Sequence, residues 1–165
     1  WGIYTLQIAK QNPEVQIYSF DVFVKNIERL NLMLNKNSLK NTKTFNLAVG
    51  SEKKIEKFAA DEDFSPNFAK DSLGNNKIEV NQDKIDNLIK FYNEIIAIKI
   101  DVERMELDVL KGAINLLKNN KCFIIIETDQ NKSKVINFLE TNGYQKINHN
   151  FDSIDTFFSN FDLNN

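Results

Sequence analysis

Ile98-Lys99-Ile100-Asp101-Val102-Glu103-Arg104-Met105-Glu106-Leu107-Asp108-Val109-Leu110-Lys111-Gly112-Ala113 is the stretch that decides the fold. It closes a run, Ile95 to Ile100, that is apolar at every position except Lys99. A strand apolar on both faces belongs in the middle of a parallel sheet. Asp101 and Glu103 follow at the strand tip, and Leu107, Leu110, Ile114 and Leu117 then recur at helical spacing. A strand that ends in carboxylates and leads directly into an amphipathic helix is half of a βαβ unit. In open α/β sheets, ligands sit beyond the carboxyl ends of the strands. Acids at that place can orient a substrate, hold a cation or accept a proton.

The same alternation extends in both directions. Downstream, Phe123 to Ile126 is a second apolar strand ending at Glu127, and Val135, Ile136 and Leu139 mark a helix stopped at Asn142-Gly143 by a left-handed cap. Tyr144–Ile147 and Thr156–Phe158 make two final strands, joined by a loop holding His149 and Asp152; without a helix between them they pair antiparallel. Upstream, a helix from about Ile3 to Lys10 ends at Asn12-Pro13, because proline disfavours helix at the residue before it. A strand from Val15 to Phe20 stops at Asp21. Phe23, Ile27, Leu30 and Leu34 then lie on one helical face, and Thr42 to Val49 is a strand closed by Gly50-Ser51. Lys54–Ala59 and Lys77–Val80 read as a hairpin around the polar loop Asp61–Asn76. Asp83 reads as the N-cap of a helix carrying Ile85, Leu88, Ile89 and Tyr92. Alternating βα units imply one doubly wound, mostly parallel sheet with an antiparallel C-terminal strand, in a single domain over residues 1–165.

Composition narrows the function. The 165 residues are 42% hydrophobic and 27% charged, as in an ordinary globular domain. A net charge of −2 gives no electrostatic reason for a nucleic-acid or anionic-membrane partner. No apolar segment approaches the ~20 residues that span a bilayer. Cys122, alone and inside an apolar run, reads as a small buried hydrophobe, so there is neither a disulfide framework nor a cysteine metal site. Phosphate-loop, zinc-hydrolase and nucleophile-elbow motifs are absent.

Three strands thus end in an acid: Asp21, Asp101 and Glu127. The sheet argument brings their ends to one crevice. Asp21 is placed to accept hydrogen bonds from ribose hydroxyls, or simply to cap the helix that follows, and spacing leaves both readings open. Asp101 and Glu103 could be helix-dipole partners. Lys99 lies on the same strand face as Asp101, however, and a buried lysine–aspartate arrangement favours a functional site. Glu127 shares the location with less context. His149 reads as an exposed loop residue rather than a general base.

The stretch closely resembles the I-K-I-D-V-E-G-x-E-x-x-V-L-x-G-A signature of the FkbM family of S-adenosylmethionine-dependent methyltransferases, with Arg104 where that family usually has glycine. Weaker likenesses run along the chain: Gly2-Ile3-Tyr4-Thr5, Ser19-Phe20-Asp21-Val22, Asn46-Leu47-Ala48-Val49-Gly50, Lys84 to Leu88, Ile125-Ile126-Glu127 and Gly143-Tyr144. The resemblance implies a Rossmann-like class I methyltransferase, cytoplasmic, that methylates a hydroxyl of a sugar or secondary metabolite. It implies that Gly2 is the last glycine of the cofactor loop, that Asp21 binds the cofactor ribose, and that Ala48 and Val49 line the adenine. Asp101 would sit beside the methyl group as orienter or base, with Glu103 and Glu127 as accompanying acids. Its partner would be a small-molecule or glycan acceptor; Mg²⁺ could assist but is not required. It also implies a truncated start at Trp1, with the first strand missing, so that these residues alone are expected to fold poorly. A non-catalytic Rossmann-like binding or scaffold domain is the alternative, fed by Arg104 and the incomplete first motif.

Overall fold

The computed structural model of the chain describes residues 2–59, 77–102, 104–128, 131–148 and 154–163. It divides into two compact units, Trp1–Ala48 and Val49–Asn165. Among the described residues, no helix is long and apolar enough to cross a membrane.

The first unit begins with α1 (Ile3–Gln11), β1 (Ile17–Asp21), α2 (Val24–Lys36) and β2 (Thr42–Asn46). β1 and β2 pair in parallel, Ile17 opposite Thr42 and Asp21 opposite Asn46, so α2 is the crossover of a βαβ unit. Ala9, Leu30 and Leu34 form its core, with Leu6, Ile17 and Leu39 packed against them. The side-chain amide of Asn41 donates to the carbonyls of Ala9, Asn12 and Val15 at 3.0–3.2 Å. It thereby ties the end of α1 and the Pro13 turn to the start of β2, and occupies carbonyls that the end of α1 would otherwise leave open.

The strand expected over 42–49 is divided. β2 stops at Asn46, and Ala48–Val49 form a separate short strand, β3. The rest of the second unit runs β4 (Lys54–Ala59), β5 (Lys77–Asp83), α3 (Ile85–Leu88), β6 (Ile95–Ile100), α4 (Glu106–Gly112), α5 (Ile114–Asn119), β7 (Lys121–Glu127), α6 (Lys132–Thr141), β8 (Gln145–Ile147) and β9 (Asp155–Ser159). Its sheets are ordered β3-β5-β4 and β6-β7-β9-β8. β4 and β5 pair antiparallel as the expected hairpin; the polar loop 61–76 lies outside the described residues.

The expected mostly parallel sheet with an antiparallel C-terminal strand forms in part: β1 and β2 are parallel in the first unit, and the larger sheet of the second is mixed. β6 and β7 are parallel, but β9 is antiparallel both to β7 and to β8. The last two strands do pair as expected, yet β9 inserts between β7 and β8. A chain that returns without a crossover helix comes back antiparallel, which makes this sheet mixed. Nor is β6 buried on both faces. Ile100 is buried and Ile96 and Ile98 pack against the core, whereas Ala97 and Lys99 are exposed and Ile95 is 75% exposed. The buried face meets Val109, Leu110, Leu117, Val135 and Leu139 from the helices, together with Cys122, Ile124, Ile126 and Phe158 from neighbouring strands.

The helix expected to follow β6 breaks in two at Gly112-Ala113. A Cβ on Gly112 would overlap the carbonyl oxygen of Gly50, so the backbone approaches there as closely as only glycine permits. The second piece, α5, is capped from elsewhere in the chain: the N–H groups of Asn115 and Leu116 donate to the two carboxylate oxygens of Asp86, each at 2.9 Å. Asp83 is not the N-cap expected. It ends β5, Lys84 is the N-cap, and α3 stops at Leu88 without reaching Tyr92. The Asp83 carboxylate accepts the Asn87 amide at 2.6 Å and the Lys84 N–H at 2.8 Å, which hold it below the usual carboxylate range. Gly143 has φ 86°, the left-handed cap foreseen at the end of α6.

Two outcomes follow. Gly112→Ala should destabilise by about 1–3 kcal/mol through overlap with backbone, whereas Gly143→Ala, where a Cβ meets nothing within 4 Å, should cost only the roughly 1 kcal/mol of its left-handed backbone; no loss for Gly112→Ala in denaturant melts would contradict the close-approach argument. The depressed Asp83 carboxyl contributes stability at pH values above its unfolded value. That contribution is lost as pH falls through the folded value, so Asp83→Asn should flatten the acid side of a stability–pH curve.

Candidate active site

The two units carry separate groups of candidate residues. In the second, β6 and β7 run side by side with Ile100 opposite Ile126, so both strands deliver their following residues, Asp101 and Glu127, to the same edge of the sheet. β9 enters that edge from the other direction, with Asp155 opposite Glu127. Lys99 Nζ lies 3.4 Å from Asp155 Oδ1 and 3.8 Å from Asp101 Oδ2. The lysine–aspartate arrangement expected from the strand face is therefore present, but it is not buried: the Asp101 side chain is 50% exposed and Lys99 is shared with a second acid. An ion pair this open adds little stability. What it offers is a carboxylate held near a cation and open to a ligand.

Beyond Asp101 the chain turns sharply. Arg104 has φ 72°, in the left-handed region that side-chain-bearing residues enter at a cost. Its exposed position leaves room for the side chain, but the backbone there suits glycine. Glu106, only 4% exposed, holds the turn by accepting the Arg104 N–H at 2.7 Å, and Asn131 Nδ2 donates to the Arg104 carbonyl at 3.0 Å. Glu103 lies outside the described residues, as do His149 and Asp152. Among the described residues no three His, Cys, Asp or Glu side chains gather in a way that could hold a metal ion. Cys122 is buried, and burial pushes its thiol up, as suits a core residue.

The first unit holds the other group. Gly2 has φ 73° at the start of α1, and a Cβ there would come 2.9 Å from Leu30 Cδ1, so both conformation and space favour glycine. Asp21 ends β1, and its carboxylate braces the turn into α2, whose N-cap is Phe23: Oδ1 accepts the Phe23 N–H at 2.7 Å, and Oδ2 accepts the Asn26 amide at 3.0 Å. A carboxylate has about four acceptor positions. One bond on each oxygen leaves each able to accept another, a pair of acceptors of the kind a ribose diol can use. Ala48 is buried, and Val49 packs against the core cluster of the second unit.

Sequence reasoning passed over Asp155, Glu106, Asp86 and Asn26. For Glu106 there was a legible signal, an acid in the first turn of a helix right after a left-handed residue. Asp155 had none, because its value comes from the strand insertion that places it opposite Glu127.

Replacing Arg104 with glycine should remove the left-handed cost and raise stability by roughly 1 kcal/mol. A loss of stability in a thermal melt of R104G would mean instead that the guanidinium itself holds the turn.

The family model described as the methyltransferase FkbM domain matches residues 5–161. Among solved structures, the chain is similar to the methyltransferase FkbM from Methylobacillus flagellatus KT (TM-score 0.60, 16% identity), covering 87% of this chain and 36% of that one. It is also similar to an rRNA methylase from Streptococcus thermophilus (TM-score 0.50, 13% identity), covering 96% of this chain and 78% of that one. At these identities the structures show a shared α/β fold with mixed sheets, and the chain spans about a third of the length of the first. No curated protein is a significant match. The family model's match over nearly all of its length shows that this chain belongs to the methyltransferase FkbM domain family.

Proposed function

We propose that the protein transfers a methyl group from S-adenosylmethionine to a hydroxyl of a sugar or secondary metabolite in the cytoplasm. The observation that carries this reading is the position of Asp101: a half-exposed carboxylate at the tip of β6, beside Lys99, ahead of a turn built for glycine. S-adenosylmethionine, when bound, supplies an electrophilic methyl group on a sulfonium. Asp21 accepts the ribose hydroxyls, Gly2 lets the chain approach closely at the start of α1, and Ala48 and Val49 flank the adenine. Asp101 orients the acceptor hydroxyl and takes its proton as the new carbon–oxygen bond forms. Glu127, beside Asp101 at the tip of the neighbouring strand, is a further catalytic acid, and Glu103 is one on the sequence alone. No step requires Mg²⁺.

The acceptor is a small molecule or glycan. A net charge of −2 is the wrong footprint for the phosphate backbone of a nucleic acid. Arg104, the departure that favours a non-catalytic scaffold, has an exposed side chain, and its backbone adopts the conformation that glycine would.

Titration calorimetry of the full-length protein with S-adenosylhomocysteine should show binding that Asp21→Ala weakens at least about tenfold, the equivalent of one 1.4 kcal/mol interaction. Asp101→Ala should keep that affinity while lowering kcat by about 10²–10⁴. Absence of any binding heat at high protein concentration would favour the scaffold reading.

A further inference from the structure

We infer that Asn26, supported by Asn46, is a positioning residue that presets the Asp21 carboxylate for a cis-diol; this rests on the reading of Asp21 as the ribose acceptor. The carboxylate is held at both ends and from behind. Asp21 Oδ1 is fixed by the Phe23 N–H, and Oδ2 by the Asn26 amide. The Asp21 carbonyl in turn accepts the Leu47 N–H at 3.1 Å and the Asn46 amide at 3.1 Å, and the same Asn46 amide reaches the Val22 carbonyl at 2.9 Å. Strand tip and side chain are thus pinned independently.

The consequence is geometric. With only the Phe23 bond, the carboxylate would be held at one point, and coupled changes of its two side-chain torsions could swing Oδ2 while Oδ1 stayed within reach of that N–H. The Asn26 bond removes that freedom and leaves one acceptor position open on each oxygen. Two neighbouring hydroxyls on one ring face need that presentation, since each must reach a different oxygen. A ligand with a single hydroxyl gains nothing from it, because a rotating carboxylate serves it equally well. Asn26 is half-buried in the first turn of α2, where its side chain reaches back to the strand tip.

The test measures affinity of the full-length protein for S-adenosylhomocysteine and for its 2′-deoxy counterpart. Asn26→Ala should weaken the diol ligand about five- to tenfold, the expected effect of releasing one immobilised side chain, and change the 2′-deoxy ligand less than twofold. Asn26→Asp keeps a residue suited to the start of a helix, removes the donor and adds a like charge; it should weaken the diol ligand further. Equal loss for both ligands would make Asn26 a mere helix-start residue and overturn the inference, as would no loss for either. If Asp21→Ala leaves both affinities unchanged, the ribose reading itself fails, and the inference with it. That outcome is distinct from an Asp21 effect without an Asn26 effect, which sinks the inference alone.

Discussion

The second unit depends on one close approach, the backbone of Gly112 against the carbonyl oxygen of Gly50. Helix axes ordinarily stand off from a neighbouring chain by the length of their side chains. Here the last residue of α4 comes against the turn after β3 with nothing between. The helix cannot continue straight from that contact, and it restarts one residue later as α5. The Asp86 carboxylate then takes the two N–H groups that the new start exposes, so a residue of α3 fixes the direction of α5. α4 and α5 together place Val109, Leu110 and Leu117 on the buried face of β6 and β7. The edge that carries Asp101 and Glu127 is therefore located by a glycine contact more than ten residues away in sequence.

The same economy appears at the sites. Asp21 and Asp101 are positioned by neighbours that serve the fold at the same time. Asp21 braces the turn into α2 and keeps acceptor capacity in reserve. Asp101 stands before a left-handed turn whose N–H is taken by the buried Glu106, so the loop that would meet a substrate is held from inside. Lys99 is divided between Asp101 and Asp155 and links the tip of β6 to the start of β9 across β7. Structural and functional readings of these acids were posed as alternatives, and the geometry makes them compatible: a carboxylate with several lone pairs can close a turn and still accept from a ligand.

Much was written locally in the sequence. Periodicity marked α2 and α6, because each has an apolar face read directly from residue spacing, and continuous apolar runs marked β6 and β7. Asn142-Gly143 announced its own left-handed cap, and Arg104 in a glycine position pointed to the turn that carries it. The family signature around Asp101 was legible for the same reason: it is a contiguous run whose residues act within one strand, one turn and one helix.

What the sequence could not decide were the features that depend on a distant partner. Whether residues 42–49 form one strand or two turns on which neighbours take their backbone bonds, and Leu47 N–H goes to Asp21. The break at Gly112 exists only because Gly50 lies against it. The insertion of β9 between β7 and β8 made the sheet mixed and brought Asp155 opposite Glu127, a pairing no local pattern encodes. Side-chain type and period are properties of neighbours along the chain, and they determined the elements and the acids at their ends. Which backbone meets which is a property of chain return, and only the tertiary structure decided how those acids are held.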